Sequence, residues 1–136
     1  MANSINFPTY GFVDDIFAFS EDNWRKFLLL WILYNEEIYS FASGEFISVR
    51  PNYDQMFNKI SNSIHVRDIC KLNKPSDLLS IKPLQDKYHD LYLGSIPSDL
   101  LELYNTLEIR VPNGSLNCAI WQNYVNFFAR FMLMCK

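Results

Sequence analysis

The chain has 136 residues, a formal net charge of −3, 49% apolar residues and 20% charged ones. That is the size and composition of one globular domain with its own core, and it excludes a disordered chain. An acidic balance also lacks the broad basic face that strong phosphate binding requires.

Aromatic residues make up 16% of the chain, with eleven Phe and eight Tyr, and glycine occurs only four times. Rings in that number fill a large core, and a surplus goes to interfaces. Few glycines argue for long helices over strands and turns. The three cysteines, Cys70, Cys118 and Cys135, form no CxxC pair, so no zinc or redox motif is present. They read as free, mostly buried thiols of a reducing compartment, hence a cytoplasmic protein. The N-terminus has neither a basic region nor an apolar run, and FLLLWILY is too short to span a bilayer. No membrane partner and no cofactor are expected.

In chain order, residues 1–19 read as a packed N-terminal arm around Phe12, Val13, Ile16, Phe17 and Phe19. Ser20 then fits an N-cap, with Glu21 and Asp22 in the first turn where the helix dipole favours acids. Trp24, Phe27, Leu28, Trp31, Tyr34, Ile38 and Phe41 recur at three- and four-residue steps, which predicts one helix over 21–42 ended by Ser43-Gly44. Pro51-Asn52 opens a second helix with Tyr53, Met56, Phe57, Ile60 and Ile64 buried. Residues 65–81 are broken at Asn73-Lys74-Pro75. Pro83 starts a third helix through Leu84, Tyr88, Leu91 and Tyr92, and Pro97-Ser98-Asp99 a fourth through Leu100, Leu101, Tyr104 and Leu107. After the turn Val111-Pro112-Asn113-Gly114, Ser115 caps a last helix carrying Leu116, Ile120, Trp121, Tyr124, Phe127, Phe128, Phe131 and Met132. The expectation is a single all-α domain, an antiparallel bundle of four to six helices, with the first and last long helices packed together and Trp31 and Phe128 in the core.

Few residues offer chemistry. Phosphate loops, HExxH, a nucleophile elbow and paired metal ligands are absent, so no metal is expected. His65 and His89 stand apart and read as surface histidines. The neighbouring carboxylates Asp14-Asp15 and Glu36-Glu37 point about 100° apart on a helix, so they form a solvated face and not an acid/base pair. Asn35 falls on the apolar face of the first long helix, where a buried amide locks packing or lines a site. The turn Arg110-Val111-Pro112-Asn113-Gly114-Ser115-Leu116-Asn117 gathers a guanidinium, two carboxamides and a hydroxyl at a helix start, where free backbone N–H groups attract anions.

The segment Trp24-Arg25-Lys26-Phe27-Leu28-Leu29-Leu30-Trp31-Ile32-Leu33-Tyr34-Asn35 resembles the first long helix of HEPN domains. The stretch from Leu103 to Asn117 is similar to that family's second signature, a helix ending near an arginine with a histidine a few residues later. The resemblance covers both ends of the chain and leaves the middle unmatched. It implies a helical bundle, commonly a homodimer. In active members Arg and His from two protomers form a metal-independent RNA-cleaving site, and many are toxins paired with an antitoxin protein. Carried onto this chain, the catalytic positions are Arg110 and Asn117, and Asn113, Ser115 and Asn35 would bind substrate.

The pattern breaks where the chemistry needs it most. Asn117 stands where the histidine is expected, and Pro112 where many members have arginine. Asparagine neither takes nor gives a proton near neutrality. Three readings remain open: a HEPN-like domain that binds RNA or protein and dimerises with its ribonuclease activity weak or lost; an active RNase toxin with a rearranged site using His65 or His89; and an unrelated helical adaptor or immunity-type protein.

Overall fold

The computed structural model describes residues 5–8, 19–42, 58–93, 106–112 and 116–136. In chain order the elements are β1 (Ile5–Pro8), α1 (Glu21–Leu33), α2 (Asn35–Ala42), α3 (Val66–Cys70), β2 (Leu91–Tyr92), β3 (Thr106–Ile109) and α4 (Cys118–Met134). Three short 3₁₀ turns, Ile60–Asn62, Pro75–Ser80 and Lys82–Gln85, sit between α2 and β2. Helix dominates the described residues.

The start of α1 follows from its first residues. Ser20 Oγ accepts from the Asn23 backbone N–H at 3.3 Å, and Asn23 Oδ1 accepts from the Ser20 N–H at 2.9 Å. This reciprocal capping satisfies two donors that the first turn leaves orphaned. The expected helix over 21–42 is divided at Tyr34, which has φ −104° and ψ 25°. Its N–H still donates to Leu30 O and its carbonyl still accepts from the Ile38 N–H, so the helical ladder bends without breaking.

The α1–α2 pair and α4 run antiparallel. Asn23 Nδ2 donates to Cys135 O at 3.0 Å, Phe27 meets Phe131 with ring centroids 5.5 Å apart, and Trp31 meets Phe128 at 6.0 Å. At the other end Phe41 lies 4.4 Å from Phe127, and Tyr124 OH donates to Ala42 O at 2.9 Å. Partner numbers fall on one element as they rise on the other, which is the mark of an antiparallel pair. Trp24, Phe27, Leu28, Trp31 and Phe128 are fully buried. The Asn23 amide also satisfies a carbonyl at the end of α4, so one side chain caps two helices. Arg25 ties α1 onward by donating to Leu72 O and pairing with Asp22.

The all-α expectation holds in part: helix dominates, and a small sheet is added to it. β3 is the middle strand of a three-stranded antiparallel sheet ordered β1-β3-β2. Ile5 faces Ile109 and Phe7 faces Leu107 across one side, and Leu91 faces Ile109 across the other. Leu107, Ile109 and Val111 are buried while Glu108 is only half-buried. That two-residue alternation is a strand pattern. It overrides the three- and four-residue spacing that ran a helix through Leu107. The remainder of that fourth helix, residues 97–105, lies outside the described residues, as do 9–18 of the N-terminal arm and 53–57 of the second helix.

Three further corrections concern the middle of the chain and the last cap. Residues 58–64 form a bridge and a 3₁₀ turn, with Asn58 pairing to His89. The third helix from Pro83 shrinks to the 3₁₀ turn Lys82–Gln85 and then becomes β2. Proline suits a first helical turn, but Leu91 and Leu93 alternate into the core and draw the chain into the sheet. The cap of α4 is Asn117 and not Ser115: Asn117 Oδ1 accepts from the Ala119 N–H at 2.9 Å. An asparagine N-cap contributes about 0.5–2 kcal/mol relative to alanine.

The thiols also differ from expectation. Cys70 and Cys118 are exposed and only Cys135 is buried. Cys135 donates its S–H to Phe131 O, and burial pushes its pKa up to about 11, with the Lys26 charge pulling the other way. Such a thiol stays protonated and unreactive.

Candidate functional site

Arg110 follows a strand and not the helix end of the HEPN pattern. It is half-buried, and its Nε lies 3.5 Å from Glu108 Oε1. Its backbone N–H donates to Asp90 O at 2.9 Å, which ties the end of β3 to the residue preceding β2. Asn117 is exposed, and within the first turn of α4 it meets Ala119, Ile120 and Trp121. Asn113 and Ser115 lie outside the described residues. Asn35 is 5% exposed at the α1–α2 bend, and its Nδ2 finds no hydrogen-bond acceptor. That leaves one buried amide donor unsatisfied where the two helices meet.

Among the described residues the densest polar cluster lies elsewhere, where the 3₁₀ turn Ile60–Asn62 meets the residues before β2. Asp90 is fully buried. Its Oδ1 accepts from the Ile60 N–H at 2.9 Å, and its Oδ2 accepts from Trp31 Nε1 and from Tyr39 OH, each at 3.1 Å. Tyr39 is held from its other side by Lys59, whose Nζ lies 4.5 Å above the ring and 3.1 Å from Glu36. One carboxylate therefore joins α1, α2 and the chain between them and the sheet. Burial raises the Asp90 pKa above its ordinary value, and the donors from Ile60, Trp31 and Tyr39 oppose that rise. Three donors around an acceptor-only group are well matched, but an ion out of water is costly.

His89, beside it, corrects the expectation of a surface histidine, being only 7% exposed. Nε2 is 3.2 Å from Ser63 Oγ. Nδ1 is 3.2 Å from Asp86 Oδ2, within ion-pair range but off hydrogen-bond alignment, so Nδ1 has no aligned partner. Asp86 is itself fixed, because its Oδ1 accepts from the Tyr88 N–H at 3.0 Å. His65, by contrast, is exposed at the start of α3.

Ser63 is exposed and lines an open cleft of about 480 Å³. Ile64, Leu72 and Ile81 supply its apolar wall, and its charged lining is balanced, Lys71 and Lys82 against Asp68 and Asp77, with Lys71 lying 3.9 Å from Asp68. Reading residues by type and motif missed this cluster. Its signal was the spacing Asp86-x-x-His89 in a turn, with Asp90 set against the apolar Leu91 and Leu93. Ser63 carries no comparable signal, because only the fold brings it to His89.

Among the described residues no three His, Cys, Asp or Glu side chains converge as metal ligands, and no helix is long and apolar enough to cross a membrane. Comparison with protein-family models, with characterised proteins and with solved structures gives no match to this chain.

Proposed function

We propose that the chain is a HEPN-like domain that acts by binding and self-assembly, its ribonuclease activity weak or lost. In this reading α1, α2 and α4 belong to an antiparallel bundle, two copies pair in the cytoplasm, RNA lies along the Arg110 turn, and an antitoxin-type protein is the natural second partner. The observation that carries it is the state of Asn117. That side chain serves as the N-cap of α4 and offers hydrogen bonds alone. General acid–base catalysis contributes a factor of about 10²–10⁴, and the position expected to supply it holds no titratable group. Arg110, 3.5 Å from Glu108, would hold a phosphate by exchanging that carboxylate for it.

The expected result with fluorescent single-stranded RNA is weak, salt-sensitive binding without cleavage. Arg110→Ala weakens binding and lowers the slope of log affinity against log salt by about 0.7, the share of one phosphate contact on a single strand. Asn117→Ala changes binding little, and Asn117→His is the variant in which cutting would return. Sedimentation of the same samples at tens of micromolar should give a two-fold dimer. Efficient cleavage by the unmodified chain that survives Asn117→Ala would place the site elsewhere, and a strict monomer would remove the two-protomer site.

A further inference from the structure

We propose that Ser63, His89 and Asp86 form an ester-hydrolysing site, with Ser63 on the wall of the cleft. A carboxylate, an imidazole and a hydroxyl lie in series, Asp86 Oδ2 to His89 Nδ1 and His89 Nε2 to Ser63 Oγ, each step 3.2 Å. This is the sequence of roles by which a serine is activated: the acid fixes the tautomer, the imidazole accepts the proton, and the oxygen attacks. The three groups come from two local structures, the turn after Ile60–Asn62 for Ser63 and the Asp86–His89 turn for the other two. The bridge between Asn58 and His89 holds these structures together, with the Asn58 N–H donating to Tyr88 O at 2.8 Å and the Asp90 N–H to Asn58 O at 3.2 Å.

Burial separates the roles. His89 is shielded, so its ring is fixed and poorly hydrated, while Ser63 is exposed on the cleft wall where a substrate can reach it. The off-axis approach of Asp86 to Nδ1 is the looseness that unliganded sites show before substrate tightens them. The cleft is small and amphipathic, which fits a short carboxylic ester whose polar end meets Lys71 or Lys82.

The chemistry closes with water as the only co-substrate. Ser63 Oγ bonds to the ester carbonyl carbon, its proton passes to His89 Nε2, and the carbonyl π pair moves onto oxygen. Collapse breaks the bond to the alkoxy group, which leaves as the alcohol with the His89 proton. Water then attacks the acyl-Ser63 ester, giving a proton to Nε2. The acid departs as Ser63 Oγ takes that proton back. Asp86 is a positioning residue, acting only through the His89 ring.

The test uses the full chain with a tagged fluorophosphonate and with p-nitrophenyl acetate. The reagent should attach to the peptide holding Ser63, and Ser63→Ala should lose both the label and ester turnover while keeping the helical circular dichroism and melting point of the parent. Asp86→Asn should lower kcat for the ester at unchanged KM, and His89→Gln should lower it by a factor of about 10² or more. Because Ser63 is exposed, its alanine variant decides the matter even if His89→Gln fails to fold. Absence of label on the folded parent, label on another residue, or ester turnover unchanged in Ser63→Ala or Asp86→Asn overturns the proposal. None of these outcomes depends on RNA binding at Arg110.

Discussion

Replacing Asp90 with alanine should destabilise the fold by about 3 kcal/mol or more, since each buried donor left without an acceptor costs about 1–3 kcal/mol. Three donors lose this acceptor together: the Ile60 N–H, Trp31 Nε1–H and Tyr39 O–H. Asp90→Asn keeps the shape and should lose less, about 1–2 kcal/mol, because the Tyr39 hydroxyl can turn to accept while one remaining donor meets an amide NH₂. The pH dependence has a definite sign. Burial raises the folded-state pKa of Asp90 above the ordinary 3.8. The folded protein therefore holds this proton more tightly than the unfolded chain does. The stabilisation is fully present below that ordinary value and declines as pH rises from there through the raised one. Urea melts of the parent and Asp90→Asn at steps between pH 4 and 7 should show a difference in stability that shrinks with rising pH. A difference that grows with pH would mean that the donor set outweighs burial and holds the carboxyl below its ordinary range.

Trp31→Ala should cost about 3–5 kcal/mol, enough to threaten a domain of ordinary stability. The side chain is fully buried between Phe27, Phe128 and Phe131, with ring centroids at 5.7, 6.0 and 6.1 Å. Its loss opens a cavity at the centre of the α1–α4 contact and removes one donor from Asp90. Phe128→Ala belongs in the same range, because that ring is fully buried against Trp31. Val125→Ala on the exposed side of α4 should stay within about 0.5 kcal/mol. Trp31→Phe keeps most of the ring packing and deletes the Nε1 donor, so a cycle with Asp90→Asn isolates their coupling. Chemical denaturation reads all of these. A loss below about 1 kcal/mol for Trp31→Ala would show that the buried face of α1 is misassigned.

The amino-acid sequence by itself determined the two helical segments that carry the core. Ser20 followed by acids, then large side chains at three- and four-residue steps, specifies a capped amphipathic helix from local rules alone. Trp31 and Phe128 were legible as core for the same reason, since a periodic aromatic face must be buried. Its short mixed segments were not legible. Leu107 fits a helical stripe read backwards to Leu100 and a strand read forwards to Ile109 and Val111, and only pairing with β1 and β2 decides between them. The same holds for chemistry. Arg110, Asn113, Ser115 and Asn117 were visible because they are neighbours in sequence. Ser63 and His89, 26 positions apart, and Trp31 and Asp90, 59 positions apart, acquire their meaning only across the fold. A hydrogen bond of about 3 Å reports where two chain segments meet, and separation along a sequence carries no such information until the core has packed.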